Sequence, residues 1–217
     1  MVRFATTSPG LKAGVMRQLV LASNNAGKLA ELRMLFAPLG WQLLPQSDFN
    51  TPEAEEPFHT FVENALAKAR HAAAHTGMPA VADDAGLCVD AFDGLPGVQT
   101  AHYATQFGYA KGDENNVRAL LEQLQGVEQR RAALVSTLVA VRTPMDPEPL
   151  IAVGRAVGEI TTAPRGPNGF GFDPVMYLPE LGQTFAELDP AVKNQYSHRG
   201  QAARQLVALM QAQWDKP

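Results

Sequence analysis

Four polar stretches in this 217-residue chain have residue types and spacings suited to chemistry. The first is "SNNAGK": Ser23, Asn24, Asn25, Ala26, Gly27 and Lys28, set between an apolar run and an amphipathic one. Between a strand and a helix it offers a hydroxyl, two amides, an ammonium and the free N–H groups of a helix N-terminus, a natural phosphate seat. It is not a P-loop, because the first glycine is missing and Leu29 stands where Ser or Thr would meet magnesium. A polar turn with an exposed lysine has the same composition, so this loop alone leaves both readings open.

The second stretch holds acids. Asp83 and Asp84 follow a short apolar strand in "AVADDAGL", while Glu55 and Glu56 lie in an acidic, Pro-containing loop. Carboxylates at the end of a strand present hard oxygen ligands, suited to Mg²⁺. Side chains alternate along a strand, so Asp83 and Asp84 face different sides. One is expected to coordinate or polarise, the other to support a neighbouring backbone. Acidic pairs in loops are usually solvated, a reading that suits the glutamates better than aspartates flanked by alanine, glycine, Leu87 and Val89.

The third stretch, "GPNGFGFDP", alternates small, aromatic and acidic residues from Gly166 to Pro174. Gly171 and its neighbouring glycines admit close backbone approach, Phe170 and Phe172 offer faces for a base, and Asp173 offers a metal ligand or hydrogen-bond acceptor. A tight turn with core aromatics is the competing reading, and the dinucleotide fingerprint spacing is absent. The fourth, "KNQYSHRG", brings Lys193, His198 and Arg199 to the start of a closing helix. Cations there oppose the macrodipole, and a polyanion or base edge would explain them. His198 has no Ser or Cys nucleophile paired with it in a known pattern. Cys88, beside Leu87 and Val89, reads as a small core residue.

These residues must be positioned by an ordinary globular chain. Hydrophobic residues make up 46% and charged ones 18%, and the net charge of −4 argues against holding long nucleic acid by bulk electrostatics. A single cysteine excludes an internal disulfide framework and a cysteine-rich zinc site. No apolar run approaches the roughly 20 residues that span a bilayer. The opening segment lacks a secretory signal, so a cytoplasmic location and no membrane partner are expected. Residues 1–16 read as a loose extension, with Met16 an alternative start, and 17–214 as a single domain of two lobes.

Periodicity places a buried strand over 18–23, then a helix with Leu29, Leu32, Leu35 and Phe36 on one stripe, then a strand over 41–44. Thr60 and Glu63 form a T-x-x-E capping box that opens a helix to about His75. Its apolar stripe is Phe61, Ala65, Leu66, Ala69 and Ala73; its polar stripe is Asn64, Lys68, His71 and His75. A short strand over 80–82 precedes a long irregular stretch to Gly112. A helix is expected over 117–124, an antiparallel hairpin over 132–142 and 150–160, a short strand over 174–177, and a last helix over 197–213.

Taken together, the sequence resembles the Ham1/RdgB family of non-canonical purine nucleoside triphosphate pyrophosphatases from about Leu19 to Leu209. The resemblance rests on "LASNNAGKLAEL", "TFVENALAKAR", "ADDAGLCVDAFDGLPGVQTAHYA", "GPNGFGFDP" and "SHRGQA", in that order. It implies an α/β fold, elongated and two-lobed around a long mixed sheet flanked by helices, with the nucleotide in the cleft between lobes. The implied activity is hydrolysis of ITP, dITP and XTP to the monophosphate and pyrophosphate, with Mg²⁺ as cofactor and a homodimer as assembly. Residue by residue, Ser23 through Lys28 and Lys68 would hold the triphosphate. Asp84 would be the metal-linked proton acceptor and Glu55 a second Mg²⁺ ligand. Phe170, Gly171, Phe172 and Asp173 would hold base and sugar, and Lys193, His198 and Arg199 the 6-oxo edge. Two departures stand out: Ala85, a substrate-side position where the bacterial pattern often has serine, and His102, where arginine is common. The alternatives are a Maf-like pyrophosphatase of other base specificity, separated by a substrate panel, and a non-catalytic nucleotide sensor, which would bind without Mg²⁺-dependent turnover.

Overall fold

Strand β1 (Arg17–Leu21) is the expected buried run, with Leu19, Val20 and Leu21 excluded from solvent. The computed structural model describes residues 17–37 and 40–214, and the extension read over residues 1–16 lies outside them. Helix α1 (Ala26–Phe36) begins where the Asn25 side chain accepts the Lys28 N–H at 3.0 Å, satisfying one of the orphan donors of the first turn. Strand β2 (Trp41–Pro45) returns parallel to β1, completing a β-α-β unit. Helix α2 (Phe61–Thr76) is capped by Thr60 and ends on Gly77, whose φ of +68° suits a residue without Cβ. The capping box forms only in part, because Glu63 takes the Thr60 hydroxyl at 2.5 Å and not its backbone N–H.

Strand β3 (Ala80–Val89) differs from the expectation of a three-residue strand followed by irregular chain. It runs ten residues, straight through both aspartates. Alanine, glycine and aspartate carry little strand propensity, so local pattern ends early; the ladder to β4 (Arg131–Val141) overrides it, in register from Ala80↔Val141 to Val89↔Ala132. Part of the remaining stretch is 3-10 helix, at Asp90–Phe92 and Gly97–Phe107, before α3 (Asp113–Gln123). β4 and β5 (Leu150–Ile160) form the expected hairpin, followed by β6 (Met176–Leu178) and β7 (Gln183–Thr184). The expected closing helix is preceded by another: α4 (Pro190–Tyr196) and α5 (His198–Gln213) meet at Ser197, whose hydroxyl accepts the Gly200 N–H at 3.0 Å.

The seven strands form one mixed sheet in the order β2-β1-β3-β4-β5-β6-β7, parallel among β2, β1 and β3 and antiparallel thereafter. The alanines of α2 cover one face of β1, β3 and β4. Helices α1 and α5 cover the opposite face through Leu32, Phe36, Ala202 and Leu206. A second lobe gathers the far ends of β3 and β4 with α3, β6, Phe172 and Phe185. The α4–α5 joint sits hard against β5 at Gly154, where a Cβ would collide with the His198 carbonyl. Gly154→Ala is therefore expected to displace the joint and destabilise the protein by about 1–3 kcal/mol. Urea unfolding checks this, and an unchanged midpoint would contradict the close approach.

Candidate active site

The site forms where one strand stops and its neighbour goes on. β1 pairs with β3 only at Val20↔Ala80 and Leu21↔Val81, so from Ala82 onward that edge of β3 has no strand beside it. The Asp83 carbonyl on this free edge accepts two ammonium groups, Lys28 Nζ and Lys68 Nζ, each at 3.2 Å. Lys28 arrives from the first turn of α1 and Lys68 from the middle of α2. Alternation sends the two carboxylates to opposite faces, as their adjacency requires.

Asp83 does not support a neighbouring backbone, as expected, but anchors a buried ion cluster. Its Oδ2 meets Lys28 Nζ at 3.1 Å and Arg199 Nε at 3.0 Å, and its Oδ1 accepts the Ser136 hydroxyl at 2.6 Å. Burial alone would raise the Asp83 pKa, yet Arg199 and then Lys28 outweigh it and hold the carboxyl well below the usual range. The cluster continues outward. Arg199 Nη1 meets Glu31 at 2.5 Å, Glu31 meets Lys193 Nζ at 2.6 Å, and Lys193 meets Asp173 Oδ2 at 2.6 Å. That same Asp173 oxygen accepts the Phe170 N–H at 2.9 Å. A line of alternating charge therefore runs from β3 to the Phe170 loop. Lys193 lies in the last turn of α4, favourable for a cation, while Arg199 opens α5 against the macrodipole and is offset by its two carboxylates.

Beside this cluster lies a cavity of about 140 Å³ lined by Asn25, Lys28, Ala85, Phe170, His198 and Arg199 among others. The Phe170 ring rests on the start of α1, where a Cβ on Gly27 would come within 2.9 Å of it. Lys193 Nζ and the Arg199 guanidinium stand 4.8 and 5.5 Å from its centroid. Phe172 borders the cavity but belongs to the core of the second lobe. Gly171 donates its N–H to Asp113 Oδ2 at 2.7 Å, tying the loop to α3. His198 is buried, and burial, with Arg199 adding, pushes its pKa well below the ordinary value, so the ring is neutral. Its Nδ1 is buried without a hydrogen-bond partner.

A second opening, about 440 Å³, is lined by Glu53, Glu56, Lys68, Asp84, His102 and Lys111 among others. It shares Lys28, Ala85 and Ala101 with the cavity, so the two openings adjoin. Asp84 Oδ1 accepts Lys68 Nζ at 2.7 Å, and the same ammonium holds Glu56 at 2.9 Å. Burial raises the Asp84 carboxyl to a pKa of about 6; Lys68 opposes the shift and Glu56 adds to it. Asp84 Oδ2 is buried with no hydrogen-bond partner. Glu55 is exposed and does not line this groove; its neighbour Glu56 does. Ser23 and Asn24 brace the first loop, Ser23 Oγ accepting the Asn25 N–H at 3.2 Å and Asn24 donating to Glu53 at 3.2 Å.

The donor set suits a hard divalent cation. The free Asp84 oxygen and the Glu56 carboxylate are oxygen ligands, and among the described residues no group of three or more His, Cys, Asp and Glu side chains gathers. Two carboxylates with the remaining positions left to water and phosphate is a pattern Mg²⁺ accepts. Sequence reasoning passed over Glu31, Ser136 and Asp113. Glu31 carried a signal, lying one turn after Lys28. Ser136, Asp113 and their partners are far apart in the chain and carried none.

Fold and site define an α/β protein with a two-part cleft at the point where a parallel strand pair gives way to an antiparallel sheet. The chain belongs to the Ham1 family, whose family model matches residues 19–209. It is 73% identical over 197 residues to the dITP/XTP pyrophosphatase of Acidovorax sp. (strain JS42), covering 91% of this chain and 96% of that one. Against the protein of that name from Paracidovorax citrulli it is 72% identical, covering 91% and 99%. A solved HAM1 protein from Coxiella burnetii superposes with a TM-score of 0.83 at 44% identity, covering 91% of this chain and all of that one.

Asp83→Asn leaves Lys28 and Arg199 facing an uncharged partner in the interior, and is expected to cost about 3–5 kcal/mol at pH 7. The native Asp83 carboxyl titrates below its unfolded value of about 3.9, so its contribution is complete above that pH and fades as pH falls beneath it. The gap between wild type and variant in urea unfolding is therefore expected to narrow from pH 7 to pH 3. A gap independent of pH would contradict the ion cluster.

Proposed function

We propose that this protein hydrolyses ITP, dITP and XTP to the nucleoside monophosphate and pyrophosphate. The observation that carries the reading is the junction of the two openings at Lys28 and Ala85: a base-sized cavity with an aromatic floor continues into a groove of ammonium and carboxylate groups. The base is assigned to Phe170, with Gly171, Phe172 and Asp173 shaping its loop. Lys193, His198 and Arg199 would hold the 6-oxo edge. The polyphosphate is assigned to the loop Ser23–Lys28 and to Lys68. Glu56, in place of Glu55, and Asp84 would hold Mg²⁺.

Bound Mg²⁺ would neutralise phosphate charge. The chain's own residues then orient the α-phosphorus, exclude competing water and accept a proton at Asp84 from the attacking water. An adenine amino group at the edge read by Lys193 and Arg199 would confront donors with a donor. Mismatches of that kind discriminate on the order of 10⁴-fold. The experiment that tests the reading is pyrophosphate release from ITP, dITP, XTP, dGTP and ATP, with and without Mg²⁺. Turnover is expected only with Mg²⁺ and on the 6-oxo substrates with abnormal bases. A preference for pyrimidine nucleotides, or binding without turnover, would overturn it.

Asp84→Asn is expected to lose turnover while its melting temperature stays within a few degrees of wild type. Mg²⁺ competes with a proton at Asp84, so the apparent Mg²⁺ affinity is expected to fall as pH drops through about 6. Mg²⁺-induced thermal stabilisation at pH 5.5 and 7.5 checks this; equal responses would exclude Asp84 as the ligand.

The proposed assembly is a homodimer and the proposed location the cytoplasm. Among the described residues no helix is long and apolar enough to cross a membrane. The supporting feature is β5. α2 covers the shared face over β3 and β4 but leaves Ile151, Val153 and Val157 on β5 exposed at 44–47%. A second copy would bury that stripe. Val153→Lys is expected to shift sedimentation from dimer to monomer; a monomeric wild type would overturn the assignment.

A further inference from the structure

The polar stripe of α2 is only partly used by the site: Lys68 reaches the chemistry, whereas Asn64 and His71 touch neither Asp84 nor the cavity. Both instead hold the loop that carries Glu56. Among the described residues, positions 52–59 exchange no backbone–backbone hydrogen bonds, so nothing in the loop's own backbone sets its course. Asn64 clasps Phe58 at both ends, its Oδ1 accepting the Phe58 N–H at 3.0 Å and its Nδ2 donating to the Phe58 carbonyl at 3.2 Å. His71 Nε2 lies 2.9 Å from the Pro52 carbonyl. A carbonyl only accepts, so this nitrogen carries the proton. His75 lies against the His71 ring, centroids 4.2 Å apart, and its Nδ1 donates to the His71 carbonyl at 2.9 Å.

Residues 64, 68 and 71 follow one another at helical spacings of four and three, and so face the same way. They meet the loop at Phe58, Glu56 and Pro52 in turn. Glu56 is therefore suspended between two fixed points, four residues after one and two before the other. Its own tie, the ion pair to Lys68, has a carboxylate side chain that is 48% exposed, and pairs of that kind hold weakly by themselves. We propose that Asn64 and His71 are positioning residues that present the Glu56 carboxylate to the metal side of the cleft. This inference rests on the reading of Glu56 and Asp84 as Mg²⁺ ligands.

His71 is the better probe, since it is only partly buried and its loss leaves the core intact; Asn64 is almost fully buried. The experiment compares wild type, His71→Ala, His71→Gln and Asn64→Ala, each also in a Glu56→Gln background. The readouts are Mg²⁺-induced thermal stabilisation without substrate, the Mg²⁺ dependence of ITP turnover, and amide exchange across residues 52–58. His71→Ala is expected to raise the Mg²⁺ concentration for half-maximal response several-fold with kcat at saturating Mg²⁺ unchanged. His71→Gln, which keeps a donor, should restore it. Asn64→Ala is expected to speed exchange of the Phe58 amide up to about tenfold, the equivalent of one hydrogen bond. In the Glu56→Gln background His71→Ala should change nothing further. An equal His71→Ala effect in both backgrounds, or a Mg²⁺ response identical in wild type and variants, overturns the positioning role alone. A wild type with no Mg²⁺ response overturns the functional reading itself, and the positioning role with it.

Discussion

The structure depends on one buried carboxylate that faces two cations. Asp83 is fully enclosed, and a lone charge there would be displaced by protonation or by unfolding. Lys28 and Arg199 make its ionisation favourable, and in doing so fasten the first turns of α1 and α5 to the middle of β3. Arg199 then requires Glu31, and Glu31 recruits Lys193 and through it the Phe170 loop. Three of the site's cations are thus held in place by carboxylates that need them. Buried ion pairs are weak contributors to net stability, and an apolar replacement of similar volume would serve the fold as well or better. Their presence makes sense as registration: they fix the position of a ring and three basic groups to within a hydrogen-bond length.

That registration works because of a mismatch in strand length. β1 ends at Leu21 while β3 continues to Val89, so the backbone of β3 beyond Val81 has carbonyl groups with no strand to receive them on that side. A buried carbonyl without a donor is costly. At Asp83 the missing strand is replaced by two lysine ammoniums, which is why both lysines converge on a single main-chain atom. The notch left by the short strand then becomes the cleft. This is the general logic of open α/β sheets, in which ligands meet the carboxyl ends of strands at a change of topology.

Much of this was legible in the sequence where the signal is local. The helix after the Asn- and Gly-rich loop, the Thr60 start of α2 and the β4–β5 hairpin follow from turn chemistry and periodicity within a dozen residues. The alternation of Asp83 and Asp84 needed only the assumption of a strand. β3 beyond Ala82 was not legible, because its composition opposes a strand and its partner lies some fifty residues away. The short helix α4 before the expected last helix escaped for another reason: its seven residues carry no apolar stripe, and its joint with α5 is set by Gly200 fitting under the Asn194 carbonyl. In the acidic loop, type and position could not separate Glu55 from Glu56. The difference is one of direction along a loop without a period, and it is Glu56 that Lys68 meets.

Opposite faces of one strand divide the labour between adjacent aspartates. Both are surrounded by lysine, yet burial acts on them with different results. Asp83 has two cations and a hydroxyl with no carboxylate competing for them, and its proton affinity collapses. Asp84 shares a single ammonium with Glu56, so burial prevails and its carboxyl is lifted towards neutrality. The arrangement holds one acid charged and lifts the proton affinity of the other. Moving the second carboxylate off Lys68 would free that ammonium for Asp84 and draw its proton affinity down. The placement of the Glu56 loop therefore sets the chemistry of Asp84 as much as the strand that carries it.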